Sequence, residues 1–198
     1  MSHSESQGRF KTMLLSEQAY QRIDIEVAKY PADQKQSAIM AALTIAQDEK
    51  GWVSTEVIED VANYLGQRPI AVQEVATFYN MYDTKPVGRI KLTVCTNLPC
   101  ALRDGEKTVD YIKTKLGIGL GETTADGQFT LGEGECMGAC GDSPVLLINN
   151  KHMCVRMTEQ RIDEMLADLA TLSATDAAPE AAPDAASEAA NKPTIKEV

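Results

Sequence analysis

The sequence predicts an α+β fold in two parts, a helical bundle followed by a mixed sheet between helices, and three observations predict it. Apolar residues recur at helical spacing from Ser16 to Tyr79. After the turn signal Lys85-Pro86-Val87-Gly88 the period falls to two, with Ile90, Leu92 and Val94 alternating along Arg89 to Cys95. Four of the five cysteines then stand in two close pairs within this second part, Cys95 with Cys100 and Cys136 with Cys140. A chain of 198 residues can bury one good core or two small ones, which suits two parts.

The elements follow in order. Residues 1–14 are polar and without period, and read as a flexible arm. The helical part spans 15–84. Ser16 opens a helix with Tyr20, Ile23, Val27 and Tyr30 on one stripe, closed by Pro31. A second helix runs from about Asp33 to Lys50, its face of Ala38, Ile39, Ala42, Leu43 and Ala46 small and aliphatic, with Gly51 as the stop. Ser54 caps a third, carrying Val57, Ile58, Val61 and Leu65 up to Gly66. Pro69 opens a fourth, with Val72, Val75, Ala76 and Tyr79 expected to face inward. The second part spans 85–172 in the order βαβββα. The first strand ends at Cys95, and a helix follows over Leu102 to Leu116. Phe129 to Leu131 form a short strand, and Val145–Ile148 with Met153–Arg156 form a hairpin around Asn149-Asn150-Lys151. Thr158 caps a last helix bearing Ile162, Met165, Leu166 and Leu169. From Ser173 to Val198 the chain is an Ala/Pro/Asp/Glu tract, read as a disordered tail.

Composition excludes several classes. The formal net charge of −10 opposes a nucleic acid or an anionic membrane surface, so proteins are the expected partners. No secretory signal pattern opens the chain and no run of about 18 apolar residues occurs, which predicts neither export nor membrane insertion. Cysteines without such a signal point to a reducing compartment, by default the cytoplasm, where paired cysteines serve as ligands or redox groups more often than as disulfides. There is no G-x-G-x-x-G after a strand, no P-loop and no Ser/His/Asp constellation.

The cysteine pairs are C-x4-C and C-x3-C, the second in a loop with Gly134, Gly138 and Gly141. Four thiolates that meet in space make a metal site, and this spacing suits a [2Fe-2S] cluster better than zinc. Structural zinc favours C-x2-C knuckles, often with histidine, and the only histidines are His3 and His152. A thioredoxin-type C-x-x-C and the histidine pair of a Rieske centre are both missing. Cys100, read at the start of a helix, is expected to face the positive end of its dipole. The loop glycines either admit backbone N–H groups to the sulfurs or serve only as turns. Cys154 reads as a small core residue and His152 as a solvent-facing hairpin residue. Glu133, Glu135 and Asp142 read as a local negative field that lowers the potential of a cluster, rather than as acid/base catalysts.

The segments CTNLPC and GECMGACGDSP closely resemble the thioredoxin-like [2Fe-2S] ferredoxin subunits of bacterial NADH:quinone oxidoreductase, respiratory complex I. Ala46-Gln47, Gly51-Trp52, Ala76-Thr77-Phe78-Tyr79 and Lys85-Pro86-Val87-Gly88 extend the similarity, which covers about Ser16 to Leu172. The acidic Ala/Pro tail departs from it. The resemblance implies a thioredoxin-like second domain holding one [2Fe-2S] cluster on Cys95, Cys100, Cys136 and Cys140. It also implies a flavoprotein partner that binds FMN and NADH, with the flavin passing an electron to the cluster, and other peripheral-arm subunits as neighbours on the cytoplasmic side of the membrane. Similar subunits occur in NAD-linked hydrogenases and formate dehydrogenases, and a zinc-stabilised interaction module is the reading from another class.

Overall fold

A computed structural model describes residues 13–175. The predicted arm and tail lie outside the described residues, apart from 13–14 and from 173–175, which are the helical end of the last element.

Four helices build the first core: α1 (Glu17–Val27), α2 (Ile39–Lys50), α3 (Thr55–Leu65) and α4 (Pro69–Phe78). Their ends follow the sequence signals. Ser16 and Ser54 accept hydrogen bonds from Ala19 N–H and Val57 N–H, satisfying donors that a helix start leaves free. Gly51 and Gly66 close α2 and α3 in the left-handed conformation. Residues Lys35–Ala38 form a 3-10 turn rather than the first turn of α2, and Gln34, which precedes that turn, makes no side-chain cap hydrogen bond that would start an α-helix there. Ile23, Leu43, Val53, Val61 and Val72 are fully buried in this core. Each such aliphatic side chain stabilises the fold by about 1.5–3 kcal/mol relative to exposure. Two expected inward residues are half-exposed: Tyr30 lies past the end of α1, and Tyr79 follows α4 in extended backbone, so neither continues its helical stripe.

The second part has one four-stranded mixed sheet in the order β2-β1-β3-β4, from β1 (Ile90–Cys95), β2 (Phe129–Gly134), β3 (Val145–Ile148) and β4 (His152–Val155). β1 and β2 are parallel, with Ile90 opposite Phe129 and Cys95 opposite Gly134. β3 runs antiparallel to both β1 and β4. The β3–β4 hairpin turns at Asn149 and Asn150, both at positive φ, with Lys151 N–H donating to Ile148 C=O at 3.0 Å. Between β1 and β2 the chain makes a single turn, α5 (Leu98–Ala101), and then α6 (Gly105–Leu116). The predicted helix from Leu102 is thus split, because Asp104 takes the left-handed conformation at φ 66°. The last helix, α7 (Glu159–Thr175), has Thr158 Oγ1 accepting from Arg161 N–H at 3.3 Å.

The sheet does not lie between its own helices. Ile90, Leu92, Val94, Leu131, Leu146 and Cys154 point to one face and meet Val109 and Ile112 of α6 and Ile162 and Met165 of α7 in a single core. Alternation along the strands sends Lys91, Thr93 and Cys95 to the other face. Lys91 there pairs with Asp83, and Asn150 donates to Met81 C=O at 3.0 Å, tying the sheet to the segment that leaves α4. Lys151 and Asp48 of α2 add an ion pair at 2.7 Å.

Candidate metal centre

Both cysteine segments leave the same end of the sheet. The parallel register sets Cys95, the last residue of β1, against Gly134, the last of β2, and Thr96 N–H donates to Gly134 C=O at 3.1 Å. Cys136 follows two residues beyond. The Cys95 thiol donates to Glu135 C=O at 3.3 Å, which joins the two segments directly. Asn97 starts the α5 turn, its side chain accepting from Leu98 N–H, and Cys100 N–H donates to Asn97 C=O at 2.9 Å. Cys95 and Cys100 are buried together with Val145, against Met137 and Ala139.

The second pair lies outside the first. Cys136 and Cys140 are exposed, with their sulfurs 3.9 Å apart. Two thiolates on one tetrahedral ion at about 2.3 Å are separated by about 3.8 Å, so this spacing fits a shared metal. Gly138 N–H points to the Cys136 sulfur at 3.5 Å, from a backbone at φ 77° that favours glycine. A Cβ at Gly134 would meet the mobile end of Met137 and lie 3.0 Å from Thr93 Cγ2, so this position is tight but not closed. Gly141 has open space around it and is the plain turn residue.

Electrostatics link all four thiols. Burial pushes the Cys95 thiol up, and the neighbouring Cys100 adds to the rise. Cys140 is raised by Cys136 first, with a smaller contribution from Cys100. Neighbouring thiols resist losing their protons together, and a cation between them reverses that preference. Among the described residues no three His, Cys, Asp or Glu side chains close on one ion position, so the arrangement is two pairs rather than a single cage. A donor set of two thiol pairs fits a two-iron cluster, with one pair to each iron.

Cys154 sits in the sheet core, where burial raises its thiol. His152 is exposed and starts β4, at the opposite end of the sheet from Cys95. Cys100 lies in the single turn α5 rather than at the start of the long helix; α6 starts separately at Gly105, which packs against Cys100. The expected three-carboxylate field is also reduced: Arg156 holds Asp142 through Nη2 at 2.7 Å and Nε at 3.0 Å, while Glu133 accepts from Thr96 Oγ1 at 2.6 Å.

Four residues of the site escape the sequence reading. Asn97 before Leu98-Pro99 is a capping signal that could have been read. Gly105 packs on Cys100, Arg103 Nη1 donates to Gly141 C=O at 3.0 Å, and Ser143 Oγ lies 3.3 Å from Cys100 Sγ. These depend on tertiary approach and leave no periodic trace.

A family model described as thioredoxin-like [2Fe-2S] ferredoxin matches residues 23–170. The chain is 40% identical over 142 residues to NADH-quinone oxidoreductase subunit 2 of Thermus thermophilus, covering 72% of this chain and 78% of that protein. It is 43% identical over 132 residues to an NADH-quinone oxidoreductase subunit of Rhizobium meliloti, covering 67% of this chain and 77% of the relative. In fold it is similar to an NAD+-reducing [NiFe]-hydrogenase crystallised in the air-oxidised state, with a TM-score of 0.59 at 20% identity over 68% of this chain and 23% of the other. With cysteine pairs gathered at one end of a mixed sheet and a family match across both cores, this chain belongs to the thioredoxin-like [2Fe-2S] ferredoxin family.

Proposed function

We propose that this chain is the [2Fe-2S] electron-carrier subunit of an NADH:quinone oxidoreductase, accepting one electron at a time from FMN in an NADH-binding flavoprotein partner. The observation that carries the proposal is that the buried Cys95–Cys100 pair and the exposed Cys136–Cys140 pair lie at one end of the sheet, their segments joined by the Cys95 thiol's hydrogen bond to Glu135 C=O, in a chain whose relatives are subunits named for that oxidoreductase.

In this reading the four cysteines are the ligands, as thiolates. When bound, the cluster supplies one-electron redox chemistry. The protein's part is to hold it. Cys95 and Cys100 form the buried wall, Cys136 and Cys140 face outward, and Gly138 N–H stabilises negative charge on the Cys136 sulfur. The exposed pair is the side toward which the flavin-bearing partner docks, since electron exchange needs close approach. Residues 85–172 form the ferredoxin domain and residues 15–84 a helical bundle domain that serves as a docking element toward the flavoprotein and other peripheral-arm subunits. Among the described residues no helix is long and apolar enough to cross a membrane, in keeping with a peripheral place on the cytoplasmic side.

The test is iron, acid-labile sulfide and zinc analysis of anaerobically purified protein, with an EPR spectrum after dithionite reduction. About two irons and two sulfides per chain with a reduced-cluster signal are expected. One zinc and no signal overturns the redox reading. Co-purification with a quinone-reducing membrane complex is expected; recovery with a hydrogenase or formate dehydrogenase instead moves the chain to the diaphorase unit of that enzyme.

A further inference from the structure

Ser143 is buried behind the cysteines, at 6% exposure, where the loop enters β3. Its hydroxyl lies 3.3 Å from Cys100 Sγ and donates to Cys140 C=O at 2.8 Å. One side chain therefore touches a residue from each pair. In the free protein the Cys100 thiol supplies the proton of the sulfur–oxygen contact. A ligating Cys100 has none, so the one hydroxyl proton of Ser143 has to turn from Cys140 C=O to the sulfur, which leaves that carbonyl without its serine donor.

We propose that the Ser143 hydroxyl is a positioning residue for the redox centre, donating to the Cys100 thiolate and raising the potential at which this chain accepts its electron. The inference rests on the cluster reading above. Uptake of one electron adds one negative charge, and no bond at Ser143 forms or breaks. A donor fixed beside a thiolate favours the more negative state, and in a buried setting few water molecules compete with it. Arg103, holding Gly141 C=O at 3.0 Å, keeps the loop that carries Ser143 against the α5 turn.

Ser143→Ala removes the hydroxyl and little volume, while Ser143→Thr keeps it. The experiment is potentiometric titration of both variants and the unaltered chain, followed by EPR, with iron and sulfide measured on each. Ser143→Ala is expected to load iron fully and to show a lower midpoint. At a fixed applied potential its reduced-to-oxidised ratio should fall threefold to tenfold, tenfold being about 59 mV for a one-electron couple. Ser143→Thr is expected to restore most of the shift. An exchangeable proton seen by ENDOR in the reduced unaltered protein should be lost in Ser143→Ala. An unchanged midpoint in a fully loaded Ser143→Ala, or equal shifts in both variants, overturns the proposal. A cluster missing from the unaltered chain overturns the functional reading instead.

Discussion

Gly105 gives the sharpest test of how the site is held, because two effects of known size oppose each other there. A Cβ at this position would lie 2.7 Å from the Cys100 carbonyl oxygen and 2.8 Å from its carbon, about 0.7 Å inside ordinary contact. Both atoms are backbone, so no rotamer relieves the clash; α6 must move away or Cys100 must shift. Gly105→Ala at an early helical position should by itself stabilise, by up to about 1 kcal/mol. Overpacking against rigid neighbours costs about 1–3 kcal/mol and should win. The net expectation is a loss of about 1–2 kcal/mol, which for a chain of this size lowers Tm by about 2–8 °C. The displaced Cys100 should also reduce iron retention. The assay is thermal unfolding of the metal-free protein together with iron and sulfide content, with Gly141→Ala as control, since its Cβ meets open space in the same site. A Gly105→Ala protein as stable as the unaltered chain and fully loaded would refute the packing account.

Three further expectations have separate readouts. Ala in place of Cys95, Cys100, Cys136 or Cys140 should abolish the visible absorption of the cluster, whereas Cys154→Ala should keep full iron content and cost about 1 kcal/mol in denaturant titration, as a small core truncation. Leu131→Ala removes a fully buried strand residue and should destabilise by about 2–5 kcal/mol, read as a fall in denaturation midpoint. Burial and a hydrogen bond to Asp60 push Tyr20 up to about 12, and burial with a bond to Asp24 does the same for Tyr64. A raised folded-state value means the neutral phenol is favoured in the fold, so this stability is present below about pH 10 and lost as pH rises toward 12. If Tyr20→Phe or Tyr64→Phe removes phenolate absorbance that develops near pH 10 in the folded protein, the assignment is contradicted.

Much of this was legible in the chain. Ser16 and Ser54 as caps, Gly51 and Gly66 as stops, and the Asn149-Asn150 turn all stand where local chemistry puts them, because each depends only on neighbours in sequence. The ligand candidates were legible as spacing. The break at Asp104 was not, since a non-glycine residue in the left-handed region carries little signal, and with it the single turn that holds Cys100 was missed. The placement of both α6 and α7 on one face of the sheet was also hidden. Alternation along a strand says that it has two faces, not which helix covers each. Nor does a sequence say that Arg156 reaches back to Asp142, although that contact alters the charge beside the cysteines.

The parallel pairing of β1 with β2 has a consequence for how the centre assembles. Each cysteine pair is local and can capture a metal ion early, but Cys95 and Glu135, which join the two segments, are 40 positions apart. Closing that span requires α6 to fold and β2 to dock beside β1, with the entropy of a long loop to be overcome before the contact rewards it. Complete loading is therefore a late event that reports on the whole sheet. A substitution far from sulfur that loosens the β1–β2 edge, such as one at Phe129 or Thr130, should first be noticed as pale, iron-poor protein rather than as an unfolded one.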